Sequence, residues 1–118
     1  MTYRLSLAPA ARADIVDALD WSVKNFGDVV RDGYEALIVA AIDLIRDNPI
    51  APGSRERGDL ASGLRTLHLR ACRNEVSPAV HRIASPRHFL VYRRTGDIIQ
   101  VVRLLHEAMD ISAVNFAE

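Results

Sequence analysis

Cys72 is the only cysteine of the 118 residues. No internal disulfide can form, and a reducing cytoplasm suits such a chain. As a nucleophile, Cys72 needs a base and a lowered pKa; as a small apolar strand residue it needs neither, and the second reading is preferred. The longest apolar runs fall well short of the 20 or so residues a membrane-spanning helix requires. Residues 1–6 (MTYRLS) lack the charged and hydrophobic segments of a secretory signal, so a cytoplasmic protein with no membrane contact is expected. His68, His81, His88 and His106 lack the close paired spacing of zinc ligands, and Gly53, Gly58 and Gly63 are too isolated for a phosphate-cradling loop. No Ser/His/Asp arrangement can be argued from spacing. No metal and no cofactor are expected.

Lysine is nearly absent as well, since Lys24 is the only one, and arginine carries the positive charge. The formal net charge is zero, but it is unevenly spread. Nine arginines between positions 55 and 94 (55, 57, 65, 70, 73, 82, 87, 93 and 94) face only Glu56, Asp59 and Glu75, a local net charge of +6. Such polarity suits a basic surface that meets nucleic acid or an acidic protein segment; an arginine-favouring genome with a merely solvated surface is the alternative.

What is present in quantity is apolar surface, 49% of the residues, enough for one domain spanning 1–118 with a real core. The chain is organised around 88–110. Two apolar runs, 88–92 and 98–105, flank Arg93-Arg94-Thr95-Gly96-Asp97, which is hairpin chemistry. Both runs are apolar on alternate and intervening positions, as expected of strands covered on both faces in the middle of a sheet.

In chain order, residues 2–7 alternate as a short strand with Tyr3, Leu5 and Leu7 inward. Pro9 sits where a first helical turn tolerates it. Ala11, Ile15, Leu19, Ser22 and Phe26 then recur at helical spacing, with Gly27 as C-cap and Asp28 as cap of the next helix. Val30, Tyr34, Leu37, Ala41, Leu44 and Ile45 form the second buried stripe, which Asn48-Pro49 ends. Trp21 and Tyr34 are read as helix-packing aromatics. Residues 50–63 read as a loop, 64–71 as a strand, and 72–87 as an extended loop or short extra hairpin. From Glu107 onward a short helix or extended tail is expected.

The expected architecture is therefore α+β: an N-terminal strand, then an antiparallel helical hairpin on a small antiparallel sheet of three to four strands. A helical hairpin covers one sheet face only. For the other, the expectation is a partner protein, the alternative being that the loops 50–63 and 72–87 fold over it.

Residues 3–15 (YRLSLAPAARADI) resemble the opening of the RelE/ParE toxin superfamily, and Phe26-Gly27, the helix end at 44–49 and Gly63-Leu64-Arg65 fall where that family has them. Arg87-His88-Phe89-Leu90-Val91-Tyr92-Arg93 and the stretch 102–110 (VRLLHEAMD) resemble the RHxxxYR and RVLHxxMD signatures of the ParE branch. The likeness spans nearly the whole chain except 72–86, which looks longer than the usual hairpin. It implies the toxin of a type II toxin–antitoxin pair that inhibits DNA gyrase and blocks replication. A ParD-type antitoxin of ribbon-helix-helix pattern would neutralise it, and DNA would be contacted only indirectly, through that antitoxin. RelE-type relatives instead cleave messenger RNA on the ribosome.

RNA cleavage needs a base, an acid and cations for the phosphate. Arg65, Arg93 and Arg103 are suited to hold phosphate, and His88 or His106 to carry a proton. The family's usual C-terminal tyrosine or histidine has no counterpart after His106, so no catalytic residue is assigned. Arg65, Arg93, Arg103 and His106 are instead candidates for a surface that binds target or antitoxin. Arg65 is equally suited to a structural ion pair. Arg103 interrupts an apolar strand and must emerge at a face or be paired. A two-residue turn would put Arg93 and Arg103 on opposite faces, a three-residue loop on the same one. His106 suits a structural bond to backbone that closes the last strand, and Asp110 a cap on a terminal turn.

Overall fold

The computed structural model describes residues 2–116. Strand β1 (Arg4–Leu7) leads directly into α1 (Pro9–Phe26), with Pro9 in the first turn, where its missing N–H costs nothing. Gly27 adopts φ 87°, a left-handed value that glycine takes without a Cβ clash, and its N–H bonds the carbonyl of Val23 to close α1. The chain reverses there into α2 (Asp28–Asp47), which ends at Asn48. Asp28 is not the expected cap. Gly27 holds the cap position, no side chain caps α2, and Asp28 sits one residue inside, where its charge favours the positive helix end.

After α2 come β2 (Ser54–Glu56), β3 (Leu64–His68), β4 (His88–Thr95) and β5 (Ile98–His106), forming one sheet of order β1-β5-β4-β3-β2. The expected α+β hairpin-on-sheet architecture holds, and β4 and β5 are indeed interior. The sheet has five strands rather than three to four, and it is mixed, because β1 runs parallel to β5 while every other pair is antiparallel. The additional strand is Ser-Arg-Glu, three residues inside the expected 50–63 loop. It contains no β-branched or aromatic residue and owes its conformation to pairing with β3.

Two cores sandwich the sheet. On the helix side, Ala11, Ala18 and Leu19 of α1 and Leu37, Ile38, Ala41 and Ile45 of α2 pack on Leu67, Leu90, Tyr92, Ile99, Val101 and Leu104. Tyr92 is fully buried and donates its hydroxyl proton to the carbonyl of Pro49 at 2.6 Å, so its one polar atom is satisfied. The opposite face is closed by the chain itself. Leu64, Val91, Val102 and Leu105 lie under Phe116, with Leu60, Ala61, Phe89, Ile111 and Val114 packed around them. The expected partner protein is not needed there. The 57–63 turn and the C-terminal tail do that work, while Val76 and Ile83 of the 72–87 segment pack on the helix-side core.

A β-bulge lets β5 serve both cores. Val91 is opposite Arg103 and Tyr92 opposite Val101, so Val102 is the extra residue on β5. Val101 and Leu104, an odd number of residues apart, therefore both face the helices, and Val102 and Leu105 both face the tail.

Strand β3 is shorter than the expected 64–71. At His68 the chain turns into a 3-10 helix, Leu69–Glu75, pinned at its start by the Arg70 N–H on His68 Nδ1. Cys72 is buried in that turn rather than in a strand, and burial raises its thiol pKa to about 11, away from nucleophilic use. No extra hairpin follows. The 76–87 segment is turns and irregular chain laid against α2 at Gly33, where an added Cβ would stand 2.4 Å from the His81 carbonyl oxygen.

Candidate functional site

The 690 Å³ cleft between α1, the start of α2 and the ends of β4 and β5 brings several chemistry-bearing side chains together. Asp14, Asp17, Trp21, Tyr34, Arg87, His88 and His106 line it. Trp21 and Phe26 stand at its rim as an edge-to-face pair 5.4 Å apart, 57% and 60% exposed. Neither packs between the helices as their helical spacing implied. Tyr34 is buried as expected, but by a polar arrangement rather than by apolar packing alone.

Its phenol oxygen accepts the Arg87 N–H at 3.2 Å and lies 2.6 Å from His88 Nδ1. With the oxygen already accepting, the phenol proton is assigned to the His88 bond, which leaves hydrogen on His88 Nε2. Antiparallel pairing sets His88 opposite His106, with ring centroids 5.1 Å apart. Burial, then the neighbouring His106, lowers the His88 pKa to about 4, while burial pushes Tyr34 up to about 12. His88 is thus neutral at pH 7 and holds its proton acceptor occupied. His106 Nδ1 accepts the Ala108 N–H at 3.0 Å, the structural closure expected of it, and the ring remains exposed at the cleft.

Beside the cleft, Glu107 bridges His68 and Arg87. His68 Nε2 lies 2.7 Å and Arg87 Nη1 2.8 Å from its two carboxylate oxygens. Because His68 Nδ1 accepts the Arg70 N–H, Nε2 carries the hydrogen that Glu107 receives. These two bonds hold the Glu107 carboxyl at about 2.

The sign of the pH response follows from these shifts. The unfolded chain takes up a proton on His88 below its ordinary 6.5, which the folded chain refuses until about 4; Glu107 repeats this between 4.5 and about 2. Stability is therefore expected to fall on acidification in two windows, 6.5 to 4 and 4.5 to 2. Thermal midpoints across pH should show the first window flattened in His88→Gln; an unchanged upper slope in that variant would contradict the buried neutral histidine.

The four expected binding residues are not brought together. Arg103 makes a bidentate pair with Asp14, at 2.6 and 2.9 Å, one step behind the cleft wall. Asp14 also accepts the Leu104 N–H at 3.0 Å. That bond has a topological reason, because β1 ends at Leu7 opposite Val101 and leaves the edge of β5 bare beyond it. The loop between β4 and β5 has two residues, but the bulge shifts Arg103 onto the parity of Arg93. Even so, their guanidinium groups have different partners. Arg93 donates to the Phe116 carbonyl at 3.3 Å and ties down the tail. Arg65 pairs with Tyr92 in the register and Arg93 with Leu64, which sets the two on opposite sheet faces, and Arg65 donates to Ser54 Oγ at 2.8 Å. Arg65 and Arg93 each keep a buried Nε with no hydrogen-bond acceptor. Only His106 lines the cleft.

Sequence reasoning passed over Asp14, Arg87 and Glu107. Asp14 does carry a signal, since a carboxylate beside the buried stripe of an amphipathic helix invites a search for the arginine that interrupts an apolar strand. Among the described residues, no three His, Cys, Asp or Glu side chains are grouped to hold a metal ion, and no helix is long and apolar enough to cross a membrane.

Comparison with known proteins decides the family. Residues 5–111 match the profile described as ParE toxin of type II toxin-antitoxin system, parDE. This chain belongs to the ParE toxin family. Among curated relatives of the family, Toxin ParE1 of Mycobacterium tuberculosis strain H37Rv is 30% identical over 112 residues, 94% of this chain and 96% of that protein. The Toxin ParE1 of strain CDC 1551 matches to the same extent. A solved structure described as the chromosomal ParDE TA system from P. aeruginosa covers 89% of this chain and 96% of its own, with TM-score 0.63 and 19% identity, a likeness of fold. The family match includes the 72–86 segment that the signature resemblance had left out. A ParE-family chain is the toxin of a type II toxin–antitoxin pair, so an antitoxin is its partner.

Proposed function

We propose that this ParE-family toxin is a non-enzymatic, cytoplasmic inhibitor of DNA gyrase, neutralised by a ParD-type antitoxin. The observation that carries the choice over RNA cleavage is the separation of Arg65, Arg93 and Arg103. A phosphodiester cleaver needs cations converging on the phosphate beside an acid–base pair. Here one arginine is spent on Asp14, and two lie on opposite faces of the sheet holding Ser54 and the tail. The exposed Trp21 and Phe26 at the rim of the cleft support protein docking instead, since aromatic anchors beside a pocket are what protein interfaces use. Of the four candidate residues, His106 lies on that docking surface and Arg103 supports it through Asp14.

RNA cleavage is the second reading, and the His88–His106 pair favours it. Against it, His88 Nδ1 is held by Tyr34, and the cleft's arginine, Arg87, is held by Glu107. The deciding measurement titrates antitoxin-free protein into a gyrase supercoiling assay and, in parallel, into translating ribosomes carrying a labelled message. Lost supercoiling with intact message is expected. Cut message with unaffected gyrase would overturn the proposal and return His88 and His106 to catalysis.

A further inference from the structure

On the sheet face away from the helices, at its β2–β3 end, a second cleft of 450 Å³ is lined by Arg55, Arg57, Arg70, His68, Thr66 and Phe89, with no carboxylate in its wall. Folding assembles it from three separate segments. The β2–β3 register sets Arg55 opposite Thr66, the Arg57 N–H bonds the Leu64 carbonyl, and the 3-10 turn brings in Arg70. Two acids are engaged at its margin, Asp59 on Arg57 and Glu107 on His68. Among the described residues, the Arg55 and Arg70 side chains have no hydrogen bond or ion pair. Two uncompensated guanidinium groups over one concavity are a local positive field in a chain whose net charge is zero, so attraction here belongs to the patch and not to the whole protein.

We propose that this cleft binds the phosphodiester backbone of duplex DNA directly, with Arg55 and Arg70 on the phosphates and Arg57 held by Asp59 at its margin. Guanidinium groups match phosphate oxygens bidentately, and a strand-borne hydroxyl such as Thr66 is a usual further contact. Single-stranded RNA is gripped by stacking on several open aromatic faces. This cleft offers only Phe89, half-buried in the second core, so the contact is to backbone and independent of sequence. The chain then touches DNA itself, beyond any contact made through the antitoxin, and this inference does not depend on gyrase.

The test is fluorescence anisotropy of a short labelled DNA duplex with the full chain, freed of antitoxin, over a salt series. Two phosphate contacts give a slope of log affinity against log salt of roughly −2. Arg55→Ala and Arg70→Ala should each weaken binding and flatten the slope by about one, and the double variant should bind the duplex barely at all. Both side chains are exposed and unpartnered, so unchanged thermal midpoints are expected for these variants. Arg12→Ala, exposed on α1, serves as control and should bind as the parent. The proposal is overturned if the duplex is not bound or if the double variant binds like the parent. It is also overturned if single-stranded RNA or polyglutamate binds more tightly than the duplex through the same arginines. The supercoiling assay is scored separately: gyrase inhibition without duplex binding removes this inference alone, and duplex binding without gyrase inhibition removes the gyrase reading alone.

Discussion

Phe116→Ala is expected to lower stability by about 3 kcal/mol, toward the lower end for a buried phenylalanine because its site lies under a tail and can partly collapse. Phe116 is 6% exposed and closes the apolar layer of Leu64, Val91, Val102 and Leu105. Its carbonyl is also the acceptor of Arg93, so Phe116 ties the tail down through both its side chain and its backbone. For a domain of this size about 3 kcal/mol corresponds to a midpoint shift of roughly 10 °C. Loosening the tail should also expose the layer beneath, so the variant should bind an apolar fluorescent dye at temperatures where the parent does not. Hydrogen exchange should quicken at the Val114 N–H, which bonds Ile111 in the terminal 3-10 turn, Ile111–Ala113. An unchanged midpoint together with unchanged exchange would mean that the tail is decoration and that this sheet face is open to a partner after all.

Asp14→Ala should cost about 2–3 kcal/mol, since it strips three hydrogen bonds at once and leaves a charge unpaired. Arg103 loses both contacts and Leu104 loses the acceptor for its N–H. The two side chains are only 24% and 15% exposed, so water replaces the carboxylate poorly. Part of this loss is the stranded guanidinium rather than the pair itself. Arg103→Met in the same background removes the stranded charge and should recover a portion of the stability, which a double-mutant cycle of thermal midpoints would measure. Additive effects of the two substitutions would show that Asp14 and Arg103 do not act on one another. The cleft gives a second readout: Asp14 lines it, so antitoxin affinity should fall in Asp14→Ala by more than the stability loss alone explains.

Which features were legible in the sequence follows from the range of the interactions behind them. The helical hairpin was legible because Pro9, Gly27 and Asn48-Pro49 punctuate two stripes of period 3.6. The central strands were legible because 88–92 and 98–105 are apolar on both faces around a Thr-Gly-Asp break. By contrast β2, with the sequence Ser-Arg-Glu, has no strand signature, and the 3-10 turn at Leu69–Glu75 replaced what alternation presented as three more strand residues. Trp21 and Phe26 occupy helical positions that suggest packing, yet both project from the hairpin into solvent.

The candidate site was less legible for the same reason. The paired histidines were noticed singly, but their apposition depends on strand register, and Tyr34 joins them from 54 residues away in the chain. The four candidate binding residues were chosen by chemistry and motif, and chemistry alone does not say which guanidinium groups meet. A single-residue bulge at Val102 moved Arg103 by one face of the strand, and Asp14 then claimed it across 89 residues.

By itself the sequence determined the class of architecture, the two interior strands and the resemblance to the ParE branch, because each rests on local periodicity, turn chemistry or contiguous motif. Only the tertiary structure decided the sheet's fifth strand and its parallel edge, the tail that closes its second face, and the partners of each arginine. It also decided the two clefts, one holding the paired histidines under an aromatic rim and one basic. These depend on contacts between segments far apart in the chain, and no local pattern encodes which distant groups will satisfy a buried charge or cover an apolar face.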